Sequence, residues 1–155
     1  MPAKTNAAEL DALPGHAIRR LHQIAVAIFL QETQAHGLTP VQFAALSQAQ
    51  RTPGLDQRTL AGQIGLDTST IAGVIDRLEA RGLMRREASP QDRRVRLLSV
   101  TDAGRQLLQA SEPDMLRAQQ RILQPLPAAE RKQFMRMLQQ LVQANNELSR
   151  APSEG

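Results

Sequence analysis

The spacing of three residues, Ala61, Gly65 and Ile71, limits this chain more than any other feature of its sequence. A small residue lets two helices cross closely, a glycine four positions later accepts the left-handed backbone of a tight turn, and an aliphatic side chain six beyond that fills the space between the helices. Leu60, Ile64, Leu66, Val74, Ile75 and Leu78 recur where they can face the same crossing. The segment 60–78 therefore predicts a helix-turn-helix. Taken alone, the pattern also fits a helical hairpin with no role in DNA binding.

The residues on either side narrow the choice. Asp56 is placed to cap a helix from Gln57 to Ile64, and Asp67 or Thr68 a second one that ends at Arg81 and Gly82. From Leu83 the pattern changes to strands, Leu83–Ala88 and Val95–Val100, around a polar turn from Ser89 to Arg94 that contains Pro90. A basic hairpin directly after a helix-turn-helix is a wing, with the second helix in the major groove and the hairpin tip in the adjacent minor groove. Arg93 or Arg94 at that tip suits the negative potential of a narrow minor groove. Between Arg77 and Arg96 lie seven arginines against three acidic residues, so this window carries the whole net charge of +4. A phosphate backbone would attract such a patch, although a solvated arginine-rich surface would read the same way.

Outside this segment the chain is helical in pattern. A helix is expected from Gly15 to Ala35, with Ile18, Leu21, Ala25, Ile28 and Phe29 on one stripe, ending at His36 and Gly37. Thr39, Pro40 and Gln42 form a capping box with proline at the first helical position, which starts a helix running to about Gln50. Arg51 to Leu55 reads as a turn. Thr101 or Asp102 caps a long helix to about Leu123, bent or interrupted near Pro113. Pro127 opens the last helix, where Phe134, Leu138, Leu141, Asn145 and Leu148 share a face. Apolar stripes at both ends of one chain call for a partner to cover them.

Composition removes several classes. The three phenylalanines are the only aromatic residues besides histidine, which argues against single-strand nucleic-acid modules that stack bases on aromatic side chains. Cysteine is absent, which excludes disulfides, thiolate zinc sites and thiol-based sensing. The longest apolar run, Ile24 to Leu30, is far below the roughly 20 residues of a membrane span. The first fourteen residues carry Glu9 and Asp11 without an apolar stretch, unlike a secretory signal, so a cytoplasmic, nucleoid-associated protein with no membrane partner is expected. No G-x-S-x-G, phosphate-cradling glycine loop or metal spacing occurs, so neither an enzyme nor a cofactor is expected.

Val74 to Leu83 reads V-I-D-R-L-E-A-R-G-L, and Asp92 to Gly104 reads D-R-R-V-R-L-L-S-V-T-D-A-G. Together these resemble the signature of the MarR family of bacterial transcription regulators, over essentially the whole chain. The resemblance implies a mainly α fold with a small β-hairpin wing and a homodimer joined through its terminal helices. The expected division is a flexible arm at 1–13, dimerisation helices at 14–38 and 106–150, a winged helix-turn-helix lobe at 39–105, and a disordered tail at 151–155. It also implies a pseudo-palindromic double-stranded operator, bound as a repressor. Arg94 would enter the minor groove, Asp92 would brace the wing beside Arg93, Thr68, Ser69 and Thr70 would meet bases or phosphates, and Arg77 would meet phosphate. Many relatives carry a basic or long polar residue around Gly73, so direct base reading is expected to be sparse here, with specificity leaning on Gln57, Arg58 and DNA shape.

Members of the family are often released from DNA by small aromatic acids or phenols. His16, Arg19, Arg20 and His22 fall within two turns of the first long helix and could pair with a carboxylate or phenol, and Arg51 is a weaker candidate for the same role. The same residues could instead be solvated, make intersubunit ion pairs or, for His22, pack partly buried. His16 and His22 do not share a helical face, and Glu32 and His36 form an isolated pair, so no metal site is expected. The alternative function is a winged-helix module that uses its basic face on an acidic protein.

Overall fold

The computed structural model describes residues 7–149 and 152. In chain order the elements are α1 (Ala7–Leu10), α2 (Pro14–Glu32), α3 (Pro40–Arg51), β1 (Leu55–Asp56), α4 (Gln57–Ile64), α5 (Thr68–Ala80), β2 (Met84–Ala88), β3 (Arg96–Val100), α6 (Asp102–Leu123) and α7 (Ala128–Ala144). A 3-10 turn, Asn146–Leu148, follows. The sheet is antiparallel in the order β1-β3-β2, with Leu98 of β3 opposite Leu55 on one side and Arg86 on the other.

Local chemistry starts each helix of the central lobe. At α3 the Thr39 hydroxyl accepts from the Gln42 main-chain N–H while the Gln42 side chain accepts from the Thr39 N–H, so two orphan donors are satisfied reciprocally. Asp56 accepts the Thr59 N–H at 2.9 Å, and Asp67 the Thr70 N–H at 2.6 Å. Between these two helices Gly65 takes φ +76°, and the Leu66 N–H donates back to the Ala61 carbonyl at 2.9 Å. The turn thus has the left-handed residue that its spacing predicts.

Several boundaries differ from the sequence expectation. α2 stops at Glu32: Thr33, which is buried, leaves the helical conformation at φ −99° and ψ 12°, and its N–H and hydroxyl both donate to the Phe29 carbonyl, at 2.9 and 2.8 Å. Part of the segment expected to be a turn is strand β1, a two-residue pairing whose partner lies over forty positions away and leaves no local signature. α6 runs through Pro113 without interruption. The carbonyl that Pro113 leaves without a helical donor belongs to Gln109, an exposed residue, where water can serve in its place. Pro127 is the cap of α7 rather than its first residue, and Leu148 falls in the 3-10 turn, off the face that Phe134, Leu138 and Leu141 share. Within the arm, Ala7–Leu10 form one turn of helix, while residues 1–6 lie outside the described residues. Of the tail, only Pro152 is described.

The core is aliphatic. Leu46 of α3, Leu60 and Ala61 of α4, and Ile71, Ile75 and Leu78 of α5 are fully buried, closed from below by Met84 and Leu98 of the sheet. Phe29 and Phe43 meet edge to face at 6.1 Å beside this cluster. The long helices differ: α2 packs along α6, but α7 buries no residue at all. Ile18, Ile24, Leu116, Leu141 and Val142 remain exposed in the single chain. No helix of the described residues is long and apolar enough to cross a membrane.

The first turn of α6 touches the start of the wing so closely that only glycine fits. A Cβ at Gly104 would lie 2.2 Å from the Leu83 carbonyl oxygen and 2.7 Å from Val100 Cγ1. Gly104→Ala is therefore expected to cost about 1–3 kcal/mol of stability. Gly73→Ala, whose Cβ meets nothing within 4 Å, should gain about 0.5–1 kcal/mol from its better helix propensity. Urea denaturation of the two variants checks both signs, and equal midpoints would contradict the close approach.

Candidate nucleic-acid interface

α5 buries Ile71, Val74, Ile75 and Leu78, which turns Ser69, Gly73, Asp76, Arg77 and Ala80 to the opposite side of the helix. Thr68, Ser69 and Thr70 are exposed at its first turn. Asp67 anchors that turn, accepting from the Ser69 hydroxyl at 3.0 Å as well as from the Thr70 N–H. Gly73 adds no side chain to the outward stripe, so the backbone there can approach a ligand closely.

The wing tip is held by Asp92. Its Oδ1 accepts the Arg94 main-chain N–H at 3.0 Å and the Arg94 Nε–H at 3.3 Å, while its carbonyl accepts the Val95 N–H at 3.0 Å. The Arg94 main-chain bond, then its side chain, hold the Asp92 carboxyl below its ordinary pKa. The Arg94 side chain remains 92% exposed, so it is steered by Asp92 without being buried. Arg93 beside it is also exposed. A concavity of about 290 Å3 joins this tip to the helices, lined by Asp56, Gln57, Arg58, Thr68, Arg94 and Arg96 among others.

Two arginines of the basic window bond to groups of the protein itself. Arg81 donates to the carbonyls of Gly37 at 2.8 Å and His36 at 3.3 Å, which pins the link between α2 and α3 to the end of α5. Arg86, from β2, forms an ion pair with Asp76 and lies 3.6 Å from Glu79, and its Nη1 donates to Gln57 Oε1 at 3.4 Å. Gln57, expected at the DNA surface, is thus half-buried and has its carbonyl engaged. Sequence reasoning counted Arg86 as charge only; the alternation of strand residues separates it from Arg85, and that was the available signal.

The residues expected to bind an effector are divided. On α2, Arg19 lies 3.3 Å from His16, which lies 3.8 Å from Asp11, and Arg20 and His22 are exposed. Arg51 lines a cleft of about 420 Å3 between α3 and α6, with Phe43, Arg105, Leu108, Glu112 and Met115, which the α2 residues do not line. Glu32 pairs with Arg121 at 3.0 Å and Arg117 at 3.5 Å, and His36 with Asp114 at 2.7 Å. This replaces the isolated Glu32 and His36 pair with contacts to α6.

A helix-turn-helix followed by a basic β-hairpin that projects beside the second helix, and completed as a three-stranded sheet by a short strand before the first, defines a winged-helix protein. The profile of the MarR family matches residues 38–95, which hold the whole helix-turn-helix and the wing tip. The PcaV transcriptional regulator of Streptomyces coelicolor, solved with its natural ligand, is 37% identical with a TM-score of 0.83, over 90% of this chain and 98% of that one. The transcriptional repressor CouR, solved on a 23-mer DNA duplex, is 31% identical with a TM-score of 0.81, over 92% of this chain and 99% of that one. BpsR of Bordetella bronchiseptica, whose DNA binding is regulated by 6-hydroxynicotinic acid, is 32% identical with a TM-score of 0.78, over 83% and 92%. The chain belongs to the MarR family of transcription regulators.

Asp56 caps the helix that carries Gln57 and Arg58 toward this surface. Burial pushes its carboxyl up, but hydrogen bonds from the Thr59 hydroxyl and main-chain N–H outweigh this and hold it below the ordinary value of 3.8. A carboxylate with a lowered folded-state pKa contributes stability above its unfolded pKa and loses it as pH falls through the folded value. Asp56→Ala is expected to cost about 1 kcal/mol at pH 7. The gap to the parent should narrow at about pH 3, read by urea denaturation at both pH values. A gap unchanged at the lower pH would remove the ionised cap from the account.

Proposed function

We propose that two copies of this chain bind a pseudo-palindromic DNA duplex as a repressor, and that a small aromatic carboxylate or phenol releases them. The observation that carries the DNA reading is the pairing of an outward α5 stripe with Arg94, steered by Asp92 at an exposed wing tip. In this reading α5 enters the major groove, where Thr68, Ser69 and Thr70 meet bases or phosphates and Arg77 meets phosphate. Gly73 lets the helix approach closely but reads no base. Arg93 and Arg94 follow the adjacent minor groove, and Arg58, with the amide N–H of Gln57, faces the backbone. Specificity then leans on the first turn of α5 and on groove shape.

The unburied aliphatic residues of α2 and α7 support pairing of two chains through residues 14–38 and 106–150, with 39–105 as the DNA-binding lobe. An acidic protein partner for the basic face is not favoured, since the repressor CouR, similar over nearly its whole length, is solved on DNA. The effector class rests on 6-hydroxynicotinic acid, which regulates BpsR. A buried carboxylate needs a cation, which Arg51 offers at the α3–α6 cleft and Arg19 or Arg20 on α2, with His16 or His22 as directional partners.

Sedimentation at micromolar concentration is expected to give a folded dimer; a folded monomer would defeat the pairing. Duplexes selected from random DNA should show half-sites centred about 10 bp apart. Arg94→Ala should weaken binding by roughly ten- to a hundredfold and lower the salt slope by about one, with the circular dichroism unchanged. A variant that binds as tightly as the parent would show that the wing does not touch DNA. Aromatic acids should displace the parent from its duplex, and Arg51→Ala, Arg20→Ala and His22→Ala should each keep DNA affinity while blunting that release.

A further inference from the structure

We infer that Arg86 is a positioning residue for DNA binding, which neutralises the acidic groups on the DNA side of α5 and fixes α5 to the wing and to α4. The inference rests on the DNA-binding reading above. Helical spacing places Asp76 one turn beyond Gly73 and two beyond Ser69, on the stripe that α5 turns outward. A free carboxylate at that position would face the phosphates of a bound duplex and repel them. Arg86 removes that conflict, because its guanidinium pairs with Asp76 and stands 3.6 Å from Glu79, on the flank of the same stripe.

The geometry is more specific than a surface ion pair. The Arg86 main-chain N–H also donates to Glu79 Oε2 at 3.2 Å, so strand β2 and helix α5 are joined through both backbone and side chain of one residue. The Arg86 side chain is 23% exposed against 60% for Asp76, which places the cation on the inner side and the carboxylate on the outer. Its Nη1 donates to Gln57 Oε1 at the first residue of α4. One guanidinium therefore touches wing, recognition helix and the preceding helix together, the three elements that must keep a fixed relation for adjacent grooves to be met at once. A planar fork with several donors suits this task, whereas an ammonium offers a single point.

The test uses the full-length protein and a duplex selected with the parent. Arg86→Gln should lower affinity by roughly tenfold or more, and Arg86→Lys should restore part of it. The triple variant Arg86→Gln with Asp76→Asn and Glu79→Gln should regain part of that loss, several-fold tighter than the single variant, because no carboxylate is left to repel phosphate although the tie to the wing stays broken. Should Arg86→Gln fail to fold, as judged by its thermal melt, Asp76→Asn with Glu79→Gln in the parent background carries the test. That double variant frees the Arg86 charge, so its salt slope should steepen by about one. An Arg86→Gln protein that binds like the parent, a triple variant as weak as the single one, or a double variant with the salt slope of the parent would each overturn the inference. A parent that selects no duplex at all would instead overturn the DNA-binding reading itself.

Discussion

Everything on the outer surface of the lobe depends on how closely α4 and α5 cross. Ala61 and Ile71 are fully buried at that crossing, and Gly65 turns the chain between them in a conformation that a side chain would resist. A core of Leu, Ile and Ala has no polar atoms to satisfy, and each fully buried large side chain contributes about 1.5–3 kcal/mol. The inner face of α5 is committed by this packing, so its outer face is committed too. The stripe from Ser69 to Arg77 is a consequence of where Ile71, Val74, Ile75 and Leu78 must go.

The lobe is tied to the long helices at one junction. Thr33 to Leu38 links α2 to α3, with Gly37 at φ +64° and Leu38 in the core. His36 contacts Asp114 of α6 through its side chain, while its carbonyl and that of Gly37 accept from Arg81 at the end of α5. Glu32, one turn earlier, meets Arg117 and Arg121 of α6. Individually such half-exposed pairs contribute little to stability. Their shared effect is geometric, since the end of α5 and the middle of α6 are both fixed to the stretch from Glu32 to Gly37.

The parts of this fold that were legible in the sequence are those written within a few residues. The capping box at Thr39 and Gln42, the caps at Asp56 and Asp67, and the left-handed Gly65 all bond to neighbours, so their residue types and spacing are sufficient. Strand β1 was missed because two residues carry no periodicity and their partner, β3, is remote in the chain. α2 ends three residues before its pattern predicts, because nothing in the residue types of 33–35 signals that the Thr33 backbone leaves the helical conformation. In the site, Asp92 and Arg94 are two residues apart and could be paired by eye. Arg81 and Arg86 have partners seven to forty-five positions away, and no count of charges distinguishes them from their neighbours.

That distinction changes how the basic window should be understood. Of its seven arginines, Arg81 serves the α2–α3 link and Arg86 balances Asp76 and Glu79, while Arg77, Arg85, Arg93, Arg94 and Arg96 stay exposed. Arg94 is itself shared with Asp92. The field toward a bound duplex is therefore weaker than the formal charge of the segment suggests, and it is concentrated at the wing and the last turns of α5. Long-range attraction scales with total charge, but counterion release counts only the cations that reach a phosphate. A protein that ties Arg81 to its own main-chain carbonyls and Arg86 to its own carboxylates gives up some general affinity for DNA and keeps its recognition surface in one arrangement.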